Sequence, residues 1–239
     1  MNANDTREIR LGGPDAPLDA KRRVLQVERA VMSRNNEIAA GLRERLRAER
    51  VLAVNVLSSP GSGKTALLTG VLRRLKELGV PGAVIVGDLE TDNDARRLAE
   101  SGAPALQVNT GSICHLEAAM IAGALDALAL PRGGVLFIEN VGNLVCPSSW
   151  DLGEELRVAL LSVTEGEDKP LKYPKAFRTA QVIIINKLDI AEVVGFDLDA
   201  ALENCRRVNP AARVYLTSAK TGAGVEEWVQ ELAGRCRAN

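Results

Sequence analysis

The sequence predicts an α/β fold: a doubly wound, mainly parallel sheet flanked by helices, with an N-terminal helical extension. Three observations point to it. Six short apolar runs recur along the chain, VLAVNVL (51–57), GAVIVG (82–87), PALQV (104–108), GGVLFIE (133–139), QVIIIN (181–186) and ARVYLTS (212–218). They are nearly continuous in hydrophobicity and rich in Val and Ile, as strands covered by helices on both faces must be. Helical stretches separate them, and that alternation is the signature of a parallel sheet.

The elements follow in order. Residues 1–17, polar and carrying two glycines and two prolines, cannot bury enough apolar surface to order themselves and read as a flexible tail. From 18 to 50, Val24, Val27, Val31, Ile38, Leu42 and Leu46 recur at spacings of three, four and seven among many charges, which predicts an amphipathic helical leader. Asn35-Asn36 is the point at which that helix could be interrupted. Residues 18–239 then read as a single domain, an ordinary outcome at this length. The longest irregular stretch, TEGEDKPLKYPKAF (164–177), carries two prolines and mixed charge and reads as a surface loop.

Bulk properties exclude several roles. With 30 basic and 31 acidic side chains the net charge is -1, so no global field favours nucleic acid or an anionic membrane. The apolar runs fall short of the ~18 residues of a membrane span. Four scattered cysteines without a secretory signal indicate reduced thiols and a cytoplasmic protein.

The first apolar run leads into SSPGSGKT (58–65) and then into a helical stretch. Gly61 and Gly63 let the backbone curl so that successive N–H groups and the helix N-terminus face an anion. Pro60, Gly61, Ser62, Gly63, Lys64, Thr65 and Ala66 form the expected phosphate cradle, with Lys64 reaching the β- and γ-phosphates and Thr65 offering its hydroxyl to Mg²⁺. Ser58 stands where the eight-residue pattern has its first glycine. The domain is therefore read as a P-loop NTPase fold.

Ligands of an open α/β sheet collect at the carboxyl ends of the strands. Asp88 and Glu139 end the second and fourth runs and place carboxylates where Mg²⁺ would lie beside Thr65, with Thr91, Asp92 and Asp94 as weaker candidates; a helix cap is the plainer role for such an acid. The fifth run ends in NKLD (186–189) and the sixth in TSAK (217–220). An Asp189 carboxylate can accept from the N1–H and exocyclic amine of guanine, a donor pair that adenine lacks. Asn186 and Lys187 would brace the base and loop, and Ser218, Ala219 and Lys220 would meet the guanine oxygen side. Lys64, Asp88 and Glu139 are the expected catalytic set for GTP hydrolysis to GDP. No obvious glutamine or arginine finger appears, so unaided hydrolysis should be slow.

The single histidine, His115, follows Cys114 after the third run, and Cys146 lies seven residues beyond Glu139, past the E-x-x-G of Glu139 to Gly142. Thiolates and an imidazole suit Zn²⁺, Ni²⁺ or copper. A buried cysteine used as a small hydrophobe and a polar surface histidine are the plainer alternatives.

Taken together, SSPGSGKT, GDLETDNDA, TGSICHLEA, ENVGNLVCPSSWDLGE, EGEDKPLKYP, NKLD and SAKTG resemble the hydrogenase nickel-incorporation GTPases, the HypB family. The resemblance runs from about Val24 to the C-terminus. It implies a nucleotide-dependent homodimer that binds Ni²⁺ or Zn²⁺ at the subunit interface and loads nickel into [NiFe] hydrogenase. It also implies two partners, the small metallochaperone HypA and the hydrogenase large-subunit precursor. By position, Cys114, His115 and Cys146 match the family's interface ligands. The chain has neither the cysteine-rich N-terminal motif nor the histidine-rich stretch of some members. A related G-protein chaperone serving another metalloenzyme such as urease is the main alternative; a small-molecule kinase and a metal-storage module are others.

Overall fold

The structure is a computed structural model of the chain, and it describes residues 18–88, 93–111 and 113–238. The chain divides into two compact units, 1–34 and 35–239, with the boundary inside α1 (Leu18–Ala48). In the first unit Val27 and Val31 are exposed. The second holds the sheet.

Its strands are β1 (Leu52–Ser58), β2 (Gly82–Asp88), β3 (Ala105–Asn109), β4 (Val135–Glu139), β5 (Leu156–Ser162), β6 (Val182–Asn186) and β7 (Arg213–Leu216). All pair in parallel in the order β3-β2-β4-β1-β5-β6-β7. The helices are α1, α2 (Lys64–Glu77), α3 (Asn93–Ala99), α4 (Ala118–Ala127), α5 (Lys169–Lys172), α6 (Pro174–Arg178), α7 (Leu198–Val208) and α8 (Val225–Ala238). No described helix is long and apolar enough to cross a membrane.

Strand alternation divides the core between the two faces. Leu52, Val54 and Val56 of β1 point into a cluster with Leu67, Leu68 and Val71 of α2 and Trp228, Val229 and Leu232 of α8. Ala53 points the other way, toward Leu42 and Leu46 of α1 and Ile121 of α4. A third cluster gathers Leu57, Ile183, Ile185 and Phe177 with Cys205. Cys236 is buried in the first cluster.

Three sequence expectations are corrected. The sheet has a seventh described strand, β5, which the apolar runs did not reveal because Arg157 interrupts it; the charge is tolerated because Arg157 pairs with Glu154, and both side chains are largely buried. The stretch 164–177 is not simply a surface loop. It holds a 3-10 turn closed by a Ser162/Glu165 capping box and then α5 and α6, with Pro170, Ala176 and Phe177 buried. Its prolines sit in first helical turns, where their missing N–H is no loss. Third, Asn35-Asn36 does not interrupt α1. Asn35 is buried, donates to the Asp151 carbonyl at 2.8 Å and accepts from the Ala118 N–H at 2.8 Å, tying the helix to the start of α4.

Phe137, fully buried on β4 with its ring 6.0 Å from that of Trp228, lies under the site edge of the sheet. Phe137→Ala is expected to lower unfolding free energy by about 3–5 kcal/mol, read from the urea midpoint at unchanged m-value.

Candidate nucleotide and metal sites

Because every strand pairing is parallel, the strand ends gather at one edge, where Ser58, Asp88, Glu139 and Asn186 each close a strand. Between β1 and α2 the chain turns through Gly61 (φ +70°) and Gly63 (φ +97°), left-handed conformations open to glycine. A Cβ on Gly63 would also lie 2.7 Å from Asn186 Nδ2. The turn aims the N-terminus of the 14-residue α2 at a cavity of about 480 Å³. The cavity is lined by the expected cradle, Pro60 to Ala66, and by Asp88, Asp94 and Glu139. Thr91 and Asp92 lie outside the described residues.

Lys64 is buried and its Nζ donates to Ser58 Oγ at 2.8 Å, which also accepts from Ser62 Oγ at 2.6 Å. Ser58, the departure from the glycine pattern, thus holds the lysine at the back of the cradle. Burial pushes the Lys64 ammonium below its ordinary pKa, against the attraction of Glu139. Thr65 Oγ1 donates to Glu139 Oε1 at 2.8 Å. Burial raises the Glu139 carboxyl to about 7, opposed by Lys64 and the Thr65 hydrogen bond, and its Oε2 is buried without a hydrogen-bond partner. A threonine hydroxyl, an orphaned carboxylate oxygen and Asp88 on one cavity wall are an oxygen set of the kind Mg²⁺ takes.

The base loops are tied to the cradle. Asn186, fully buried, donates to the Ser62 carbonyl at 3.1 Å and accepts from the Ala219 N–H at 3.0 Å and Thr217 Oγ1 at 3.2 Å. Lys187, at φ +67°, donates to the Gly61 carbonyl at 2.6 Å. Ser218 Oγ donates to Asp189 Oδ1 at 2.6 Å, fixing the carboxylate that would read the base; Lys220 is exposed.

At the same edge the ligand atoms of Cys114, His115 and Cys146 all lie within 4.8 Å of one another, each residue partly exposed. The Cys146 thiol beside it, together with burial, pushes the Cys114 thiol up. Both ring nitrogens of His115 are buried without hydrogen-bond partners, Nε2 being 3.6 Å from Glu117 Oε1. Burial lowers the imidazole's pKa against Glu117, and the ring stacks on Trp150 at 4.4 Å between centroids. A neutral imidazole with free nitrogens and two neighbouring thiols form a donor set for a borderline or soft transition metal. The residues between the two sites are close-packed: a Cβ on Gly142 would lie 3.0 Å from Pro60 Cα.

Several residues of the site were missed in the sequence. Arg97, Asn140 and Val141 line the cavity, and Trp150 covers the histidine. Asn55, a lone polar side chain in an apolar run, was a legible signal.

Cradle, helix N-terminus and base loops on a parallel sheet define a P-loop nucleotide-binding domain. The family model described as the CobW/HypB/UreG nucleotide-binding domain matches residues 52–216. The hydrogenase maturation factor HypB of Escherichia coli K12 is 52% identical over 220 residues, covering 92% of this chain and 76% of that protein. The hydrogenase/urease maturation factor HypB of Helicobacter pylori is 43% identical over 224 residues, covering 92% of this chain and 91% of that one. The crystal structure of Helicobacter pylori HypB in complex with nickel superposes with a TM-score of 0.81 at 43% identity, covering 86% of this chain and 96% of that one. The chain belongs to the CobW/HypB/UreG family and, within it, to the HypB hydrogenase maturation factors.

The raised Glu139 pKa has a sign that can be measured. Between the ordinary value of 4.5 and about 7 the folded protein holds a proton that the unfolded chain has lost, so stability falls as pH rises through that window. In nucleotide-free protein, denaturant titrations from pH 4.5 to 8 should show this decline, and Glu139→Gln should flatten it.

Proposed function

We propose that this chain is a GTP-hydrolysing metallochaperone that binds nickel or zinc through Cys114, His115 and Cys146 and assists nickel insertion into [NiFe] hydrogenase. One observation carries the reading: the thiol–imidazole cluster forms on the segments that follow β3 and β4, at the sheet edge that carries the nucleotide cavity, and Cys146 follows seven residues after Glu139, the carboxylate joined to the cradle threonine. A Helicobacter pylori relative crystallised with nickel supports nickel as cargo.

In this reading Pro60 to Ala66 bind the phosphates, and Lys64 sets its charge against the β- and γ-phosphates. Thr65, Asp88 and Glu139 would hold Mg²⁺, whose chemistry is to neutralise charge on the phosphate oxygens. Arrival of the γ-phosphate alters the partners of Glu139, and Asn140 to Val145 carry that change to Cys146. Metal binding requires Cys114 to lose its proton, which the neighbouring Cys146 and burial oppose until a cation is present. Metal affinity and phosphate state are thereby linked, and by reciprocity each sets the other. Three donors are fewer than the ~4 of a closed structural zinc site. The rest come from water or from a second copy of the chain, and the homodimer of the family reading would supply the latter. HypA and the hydrogenase large-subunit precursor are the protein partners, and the compartment is the cytoplasm. The name of the Helicobacter pylori relative favours one extension, a client range that includes urease.

Nickel titration of the wild type with GDP and with a non-hydrolysable GTP analogue is expected to give affinities differing by about fivefold or more, with the site lost in Cys114→Ala. Equal affinities at a Cys114-dependent site would exclude the coupling. For the base, Asp189→Asn should weaken GTP binding by more than about tenfold and improve xanthosine triphosphate binding; competition against a fluorescent nucleotide reads both.

A further inference from the structure

A buried polar chain links the nucleotide cavity to both halves of the metal cluster. It begins at Glu139, which accepts from Thr65 Oγ1. The next residue, Asn140, is 1% exposed, and its Oδ1 accepts from the Leu116 N–H at 3.2 Å and from its neighbour's N–H, that of Val141, at 3.0 Å. Leu116 directly follows His115. On its other side, Asn140 Nδ2 donates to Asn55 Oδ1 at 3.3 Å, and Asn55 Nδ2 donates to Glu154 Oε1 at 3.2 Å. Glu154 also accepts from the Leu152 N–H at 2.7 Å and from the Arg157 guanidinium. Arg157 in turn donates to the carbonyls of Ser148, at 3.2 Å, and Trp150, at 2.8 Å. Ser148 lies two residues from Cys146, and Trp150 is the ring stacked on His115.

We infer that Asn140 is a positioning residue that relays the state of Glu139 to the metal donors, to His115 through the Leu116 amide and to the Cys146 loop through Asn55, Glu154 and Arg157. The inference deepens the coupling reading above and rests on it. The direct peptide from Glu139 to Cys146 reaches only one donor, whereas Asn140 touches the strand of chain that carries the other two. Burial makes the relay stiff. Asn55 and Asn140 are at most 1% exposed and Glu154 is 8% exposed, so a partner lost in this chain is not simply replaced by bulk water. A shift of the β4 terminus must then either move the Leu116 amide or leave buried groups unpaired. The asparagine is suited to this because it accepts and donates at once, joining two segments that have no other link of this kind to Glu139 among the described residues.

The test uses the full chain as wild type, Asn140→Ala and Asn55→Ala, each titrated with Ni²⁺ in the presence of Mg²⁺ and either GDP or a non-hydrolysable GTP analogue. The relay expects the ratio of the two nickel affinities, about fivefold or more in the wild type, to fall to within about twofold of unity in Asn140→Ala and to shrink in Asn55→Ala, with nickel still bound. A wild-type ratio retained in both variants overturns the relay and leaves the coupling reading intact. A wild-type ratio of one overturns both. Equal loss of affinity in both nucleotide states marks plain structural damage and overturns the relay as well. Should neither variant fold, hydrogen exchange of the Leu116 amide in the wild type decides: exchange that changes between GDP and the analogue without metal supports the relay, and unchanged exchange overturns it.

Discussion

Polar side chains buried at the carboxyl edge of the sheet must find partners inside the protein, and this requirement organises both sites. An all-parallel sheet covered on both faces leaves its strand ends surrounded by helices and loops rather than by bulk water. Ser58, Glu139, Asn140 and Asn186 all end or follow buried strands and are nearly inaccessible. Each answers by reaching into a neighbouring loop: Ser58 to Lys64, Glu139 to Thr65, Asn140 to Leu116, Asn186 to Ser62 and Ala219. The loops are thereby held at fixed positions relative to one another, although they are distant in sequence.

The same demand explains the ion pair beside the Cys146 loop. Arg157 interrupts β5, and an unpaired guanidinium there would be costly. Glu154 neutralises it, and the remaining donors of Arg157 turn outward to the carbonyls of Ser148 and Trp150. What begins as compensation for a charge within a strand ends as a scaffold for the Cys146 loop. Asp151, on the same loop, is held in turn by Arg43 of α1 at 2.6 Å, which keeps its carboxyl below the usual range despite partial burial.

Legibility in the sequence followed locality. The phosphate cradle was readable because its chemistry lies within eight residues, and Gly61 and Gly63 take the left-handed conformations their type suggests. The strands were readable where apolar runs were pure. β5 was hidden because Arg157 becomes compatible with a buried strand only through Glu154 and two carbonyls, none of which a hydrophobic pattern registers. α5 and α6 were hidden for a different reason: prolines read as breakers also begin helices, and only the chain geometry decides. The Cys114-His115 pair and Cys146 are brought together by topology, since β3 and β4 flank β2 and both open toward the same edge. Asn55 carried a visible signal, one polar side chain in an apolar strand, but its meaning lay in Asn140 and Glu154, 85 and 99 residues away.

The nucleotide cavity and the thiol–imidazole cluster differ in how they treat charge. At the nucleotide site the buried Glu139 carboxyl is raised to about 7 and Lys64 is lowered, each relieved by the other's charge, so the pocket is poised to gain from a ligand that brings both anionic oxygens and a hard cation. At the cluster the imidazole is kept neutral by burial and one thiol is held protonated by its neighbour. A metal bound through these thiols would have to displace their protons.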